Sequence, residues 1–172
     1  MTAKIFLLIF TIVISFFVFS CKKENKKNNQ LSLTGELVNH SECKNKKKLI
    51  KGSSEIPDSI SCIDYSFDEA NNKLTIKHIN AGFNCCPDSL YCDVILNNDT
   101  IMIQEFEKDG LCNCDCLYDL NIEIIGVASQ KYYIKIDEPY RRKQAELSFK
   151  IDLTKNKAGS YCVIRNQYPW GI

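Results

Sequence analysis

The sequence predicts an all-β domain, an antiparallel β-sandwich reinforced by disulfides, with an immunoglobulin- or fibronectin-like arrangement as its specific form. Three observations predict it. After residue 31 no window sustains the 3.6-residue apolar period of a helix, and period-two alternation recurs instead. Turn residues separate the alternating segments at short intervals. Ten cysteines in 172 residues offer an unusual supply of cross-links. The rest of the composition, 45% apolar and 25% charged, is ordinary for a globular chain and excludes collagen-like and wholly disordered ones.

The elements follow in chain order. Strands are expected near 31–38 and 61–67, the second closed by the turn Glu69-Ala70-Asn71-Asn72. Leu74 to Ile79 is the next strand. Val94-Ile95-Leu96 and Ile101-Met102-Ile103 flank Asn97-Asn98-Asp99, whose residues tolerate positive φ, so they form a hairpin. Its register pairs Leu96 with Ile101 and Val94 with Ile103, which puts Cys92 on the same apolar side. From Cys112 to Ile124 the even positions read Cys, Cys, Cys, Tyr, Leu, Ile, Ile, and the odd ones are mostly polar. That is one long amphipathic strand with three cysteines on its apolar face. Lys131 to Ile136 returns after the turn at Gly126. Val127, six places before Tyr133, resembles the tyrosine corner of immunoglobulin-like sandwiches. Ala145-Leu147-Phe149-Ile151-Leu153 alternates with Glu146-Ser148-Lys150-Asp152, a strand with one wet face, as antiparallel sheets have. A last strand is expected at 161–165.

Three segments organise the chain. Residues 1–20 have a charged start, an apolar run from Ile5 to Phe19 and a small residue at the break, the pattern of an export signal. The run is shorter than the ~20 residues that span a bilayer. Val18-Phe19-Ser20-Cys21 resembles the lipobox of bacterial lipoproteins, in which the signal is cut before a cysteine that is then acylated. Phe19 departs from the small residue usual there. The resemblance makes Cys21 the lipidation site and the membrane a partner through its acyl chains. The rival, an uncleaved transmembrane anchor, would send the domain into the cytoplasm by the positive-inside rule, a reducing home for nine further cysteines. Residues 21–30, mostly lysine and asparagine, form a solvated tether, and 31–172 a single domain. Its roughly 140 residues suffice to bury about 68% of the unfolded surface without help from disulfides.

Charge is uneven along the chain. The formal net charge of +1 argues against nucleic acid as a partner. The lysines at 44, 46, 47, 48 and 51 lack the interleaved aromatics and arginines of nucleic-acid surfaces. From 60 to 123, twelve acidic residues face three lysines, a net of −9, and seven of the ten cysteines lie there. Such a stretch repels phosphates and attracts cations.

With Cys21 set aside, nine disulfide candidates remain: Cys43, Cys62, Cys85, Cys86, Cys92, Cys112, Cys114, Cys116 and Cys162. Nine is odd, so at least one is unpaired within the chain. Residues two apart on a strand stand too far apart to bond, so Cys112, Cys114 and Cys116 need partners elsewhere. The 85–92 and 112–116 clusters are expected to be tied together, with Cys92 a candidate to meet the second cluster. Cys43, Cys62 and Cys162 should supply a further pair. Individual connectivities stay open.

An alternative is a thiolate site for copper or zinc built from His78, Cys85, Cys86, Cys112, Cys114 and Cys116. Against it, no C-x₂-C pair is present and exported thiols oxidise. No cofactor is expected. Catalytic motifs such as G-x-S-x-G, H-E-x-x-H and glycine-rich phosphate loops are absent, so no catalytic residue is named. His40 and His78 are the only bases that titrate near neutrality, and His40 beside an oxidised Cys43 has no nucleophile to activate. An unrecognised carboxylate site is the least favoured alternative. Asp58-Ser59-Ile60, Asp88-Ser89-Leu90 and Asp99-Thr100-Ile101 resemble the Asp-Ser/Thr-aliphatic acceptor of Bacteroidota-type O-glycans, which makes Ser59, Ser89 and Thr100 candidates.

Leu74 to Asn80, Phe83-Asn84-Cys85-Cys86-Pro87, Asn98 to Ile101, Cys112 to Leu120, Tyr161 to Arg165 and Tyr168-Pro169-Trp170 together resemble a group of uncharacterised Bacteroidota-type lipoproteins. The resemblance covers most of residues 60–172. It implies an all-β domain anchored to the outer membrane on its periplasmic or surface face, and it supplies no activity. The expected role is a binding, interaction or structural module, its protein or glycan partner unknown.

Overall fold

The computed structural model describes residues 32–44, 56–109, 112–167 and 169–170. Among them there is no helix. Nine strands form: β1 (Thr34–His40), β2 (Ile60–Asp68), β3 (Lys73–Asn84), β4 (Ser89–Asn97), β5 (Thr100–Lys108), β6 (Asp115–Ile125), β7 (Lys131–Asp137), β8 (Ser148–Asp152) and β9 (Ala158–Ile164). They make two packed sheets, β1-β6-β3-β2-β9 and β4-β5-β7-β8. Every pairing is antiparallel except β5 with β7, which are parallel because β6 crosses to the other sheet between them.

The local chemistry explains the turns. Asp68 caps the β2–β3 turn, accepting bonds from Ala70 N at 3.1 Å and Asn71 N at 3.3 Å, and Asn72 takes φ 50°. Asn98 takes φ 56° between β4 and β5, and the hairpin pairs Val94 with Ile103 and Leu96 with Ile101, as expected. The main core lies between the sheets. Alternate residues supply it: Leu74 and Ile76, Ile101 and Ile103, Ile122 and Ile124, Ile134 and Ile136, Leu147 to Leu153. A second cluster of Ala81, Phe83, Leu90, Cys116, Tyr118 and Leu120 fills one end.

Three local expectations are corrected. The strand through the cysteines starts at Asp115, so only Cys116 belongs to it; Cys112 and Cys114 lie in a bend that hydrogen bonds to β3's end hold out of the ladder. The corner tyrosine is Tyr132, not Tyr133. Tyr132 is buried and its hydroxyl accepts from Ala128 N at 3.0 Å, whereas Tyr133 is on the opposite, half-buried parity. Ala145 is exposed and precedes β8, although Leu147, Phe149, Ile151 and Leu153 keep the expected inward parity.

Within β3 the ladder to β6 shifts register between His78 and Ala81. Asn80 sits in that bulge at φ 61°, a conformation asparagine tolerates better than most residues. It is fully buried and every polar group is used. Its amide donates to Pro57 O at 3.1 Å and Ile60 O at 2.7 Å, Lys44 Nζ donates to its Oδ1 at 2.8 Å, and Trp170 Nε1 donates to its carbonyl at 2.5 Å. Trp170 also lies against Gly82, where an added Cβ would stand 2.7 Å from its ring. The bulge therefore fixes where the C-terminal segment seats.

Candidate functional site

Two constellations carry chemistry. The first is a layer of charge sealed between the two apolar clusters. On four strands the inward parity runs through two apolar residues and then continues to a polar one: Leu74, Ile76, His78; Ile101, Ile103, Glu105; Ile134, Ile136, Glu138; Tyr161, Val163, Arg165. Ser61 joins from β2. All five polar side chains are buried. Ser61 Oγ lies 2.9 Å from His78 Nε2, and His78 Nδ1 lies 2.7 Å from Glu105 Oε1. Glu138 Oε1 stands 3.8 Å from His78 Nε2 and holds Arg165 through two contacts of 2.6 Å. Arg165 also donates to Ala145 O at 2.5 Å and lies over the Trp170 ring at 4.8 Å.

Ser61–His78–Glu105 has the order of a nucleophile, a base and an orienting carboxylate. Its electrostatics favour a different role. Burial by itself would lower the His78 pKa, but Glu105 in hydrogen-bond contact and Glu138 nearby outweigh it and hold the imidazole above its ordinary value. A protonated histidine donates from both nitrogens and cannot accept a serine proton. With His78 charged, the layer holds two cations and two anions and is neutral as a unit. Burial pushes the Glu138 carboxyl up, and His78 and Arg165 oppose that push. Glu105 Oε2 and Arg165 Nε are buried without a partner among the described residues. The layer is an electrostatic clamp joining the sheets.

The second constellation is the cysteine end. The disulfides are Cys43–Cys116, Cys62–Cys162, Cys85–Cys114 and Cys86–Cys112. The 85–86 and 112–114 segments are tied, as expected, and Cys62 pairs with Cys162. Cys92 does not meet the second cluster. It is the free cysteine among the described residues, buried on β4 opposite Glu105, because its strand belongs to the other sheet. Burial, and then the Glu105 carboxylate, push its thiol up to about 12. It is a packing residue.

Two of these disulfides lie side by side. The sulfurs of Cys85, Cys86 and Cys112 are all within 4.8 Å of one another. Around them Asn84 binds both segments: Cys86 N donates to its Oδ1 at 3.0 Å, and its amide donates to Cys112 O at 2.6 Å. Cys85 N donates to Cys114 O at 2.9 Å. Glu107 accepts from Asn84 N and from the Tyr140 hydroxyl, both at 2.7 Å, and that bond pushes the Tyr140 pKa up to about 12. Burial, with Glu107 nearby, also raises Asp115.

The other residues singled out in the sequence are dispersed. His78 belongs to the clamp, with both ring nitrogens engaged, and is not in the cysteine group. Cys116 is bonded to Cys43. His40 ends β1 in the open, its ring edge against Tyr118. Ser59 precedes β2 half-buried, Ser89 opens β4 exposed, and Thr100 opens β5 half-buried. Cys21, the export signal and the tether lie outside the described residues, and among the described residues no helix is long and apolar enough to cross a membrane. Glu105, Glu138, Arg165 and Ser61 were not singled out, although three of them continue an apolar parity. A hollow lined by Thr34, Gly35, Glu36, Glu123 and Ile125 includes no member of either constellation. Comparison with known proteins finds no matching family model, no matching curated sequence and no matching solved structure.

Proposed function

We propose that the chain is a lipid-anchored binding module of the bacterial cell envelope, tethered to the outer membrane through Cys21. One observation carries this reading. Eight of the nine cysteines beyond Cys21 are joined in four disulfides within a domain that already has a continuous core. Cross-links of that number persist in exported proteins, and a chain that does not need them to fold gains rigidity from them. A rigid sandwich with a sealed interior interacts through its surface. The contact face in this reading is the outer side of β4 and β5, where Tyr91, 46% exposed, stacks on Phe106 at 5.2 Å and Ile95 is 42% exposed. Stacked aromatics of this kind suit a protein or glycan partner.

The test has two parts. Cells expressing the full chain with labelled palmitate should label it in the outer-membrane fraction, and Cys21→Ala should abolish the label. A photo-crosslinker at position 91 should then give a discrete adduct in intact cells, while one at exposed Lys155 should not. Label retained in Cys21→Ala would refute the anchor. Equal adducts at the two positions, or none, would refute the contact face.

A further inference from the structure

The four cysteines at the β3–β4 corner are held together by more than their disulfides. If the bonds between sulfurs opened, Asn84 would still fasten Cys86 N and Cys112 O, and the Cys85 N to Cys114 O bond would still join the two segments. Asn84 is itself buried and braced by Glu107 and by the Tyr118 hydroxyl, which donates to its carbonyl at 3.1 Å. The second apolar cluster packs beneath, with Cys85 against it. The sulfurs are therefore placed by backbone and side-chain hydrogen bonds, and the cross-links join groups that are already neighbours.

Three of the four sulfurs are already spaced for a metal. A tetrahedral tetrathiolate with zinc–sulfur bonds of about 2.3 Å has its sulfurs about 3.8 Å apart. Cys85, Cys86 and Cys112 already have their sulfurs within 4.8 Å of one another; Cys114 lies outside that group, held beside it by its bond to Cys85, and its sulfur has to swing inward to complete the set. The corner is half-buried, with Cys112 exposed, so a reductant can reach it. Its surroundings favour a cation. Glu107 stands beside the cysteines, accepting from Asn84 N at 2.7 Å, and the stretch from 60 to 123 carries a net −9.

We infer that the paired disulfides Cys85–Cys114 and Cys86–Cys112 are the oxidised form of a redox-gated zinc site, whose four ligands are the thiolates of these cysteines. The chemistry balances with a dithiol as reductant. Two dithiols each give up two electrons and two protons and become disulfides; the chain's two disulfides become four thiols. Zinc then binds the four sulfurs and releases the four protons. His78 and Cys116 take no part, which distinguishes this ligand set from the six-residue one suggested by the sequence. The site does not depend on lipid anchoring or on a binding partner.

The experiment uses the full chain in detergent, reduced with a phosphine that does not itself bind zinc as thiols do, then desalted under argon. Circular dichroism reports that the β fold is retained. Equilibrium dialysis against zinc should give about one ion per reduced chain and essentially none per oxidised chain. Zinc should slow alkylation of Cys85, Cys86, Cys112 and Cys114 by at least ~10-fold, mapped by mass spectrometry, and leave Cys43 and Cys116 unprotected. The double variant Cys85→Ser/Cys112→Ser should lose the ion, and Cys43→Ser/Cys116→Ser should keep it. No zinc on the reduced, folded chain overturns the inference. So does equal binding by the oxidised chain, or protection that is uniform over all cysteines. The mapping is done on the unsubstituted sequence, so it decides the matter even where a variant fails to fold.

Discussion

The two ends of the Arg165–Glu138 pair differ in what happens when the partner is lost, and the difference is measurable. Both side chains are essentially buried and meet through two 2.6 Å contacts. Breaking a buried pair by removing one member costs about 3–5 kcal/mol, since the other charge stays desolvated. Glu138→Gln leaves the Arg165 guanidinium facing a neutral amide. A guanidinium does not deprotonate in proteins, so this cost has no escape; losing Glu138 also removes a charge that raises His78, so the deficit should be largest below about 6.5 and shrink toward pH 8. Arg165→Met leaves a carboxyl that burial already pushes up and removes one of the two cations opposing that push. That carboxyl can take a proton. A group whose folded pKa is raised stabilises below its unfolded value, about 4.3, and loses that contribution as pH rises through the folded value. The Arg165→Met deficit should therefore be small at pH 5 and grow toward pH 8, by up to about 1.4 kcal/mol for each unit of pH crossed. The assay is urea unfolding of the oxidised protein at pH 5, 6, 7 and 8, followed by tryptophan fluorescence and by circular dichroism, since Trp170 stacks on the substituted Arg165. Parallel pH profiles for the two variants, or a Glu138→Gln cost under about 1 kcal/mol, would refute the claim that this layer is a dry charge clamp.

Three further outcomes follow from the same geometry. The His78 pKa is raised by Glu105 and Glu138 against burial, so its contribution to stability is complete below the unfolded value of about 6.5 and is lost as pH rises through the higher folded value. Ring-proton NMR should show His78 titrating above the ordinary histidine value of about 6.5, and a midpoint below it would contradict the clamp. Cys92, buried and pushed up to about 12, should resist iodoacetamide at pH 8 in the native protein. In urea without reductant, peptide mapping should find it the one alkylated residue among Cys43 to Cys162; a second labelled site would contradict the pairing. Tyr132→Phe should cost about 1 kcal/mol by freeing the Ala128 amide, whereas Tyr133→Phe should change unfolding by a few tenths at most. Equal effects would mean that the corner is not held by that hydroxyl.

The strands and turns were legible because one face of each sheet packs inward. Ile101, Ile103 and Ile134, Ile136 alternate in the sequence for the same reason that they are buried, and Asn72 and Asn98 mark turns because their backbones take positive φ. The tyrosine corner was nearly legible: the motif was right and the residue off by one, since Lys131-Tyr132-Tyr133 offers a tyrosine to each face and spacing alone does not say which face the core takes. The cysteine strand failed for a related cause. Parity describes residues in a ladder, and Cys112 and Cys114 are held out of one by Asn84 and by the backbone of Cys85. No pattern local to 112–116 carries that information.

The clamp was legible in principle, through a reading that treats polar residues as part of the apolar pattern. Glu105 follows Ile101 and Ile103 at the same spacing, and Glu138 follows Ile134 and Ile136 in the same way. Each by itself is unremarkable at a strand's end, where a chain commonly returns to water. Four such continuations differ from one, because two are carboxylates and two are basic groups, which can balance in a closed interior. An interior that ended in four unrelated surface charges would have no reason to balance. The balance also explains the two apolar clusters. His78 pairs with Leu120 across the β3–β6 ladder, at the boundary where the main core gives way to the cluster under the disulfides. The charge layer thus separates a core built by parity from an end built by a bulge, an asparagine bracket and cross-links. The first part follows from periodicity. The second depends on contacts between residues far apart in the chain, such as Lys44 with Asn80 and Asn80 with Trp170, which is why the cysteine end could be located from the sequence but not wired from it.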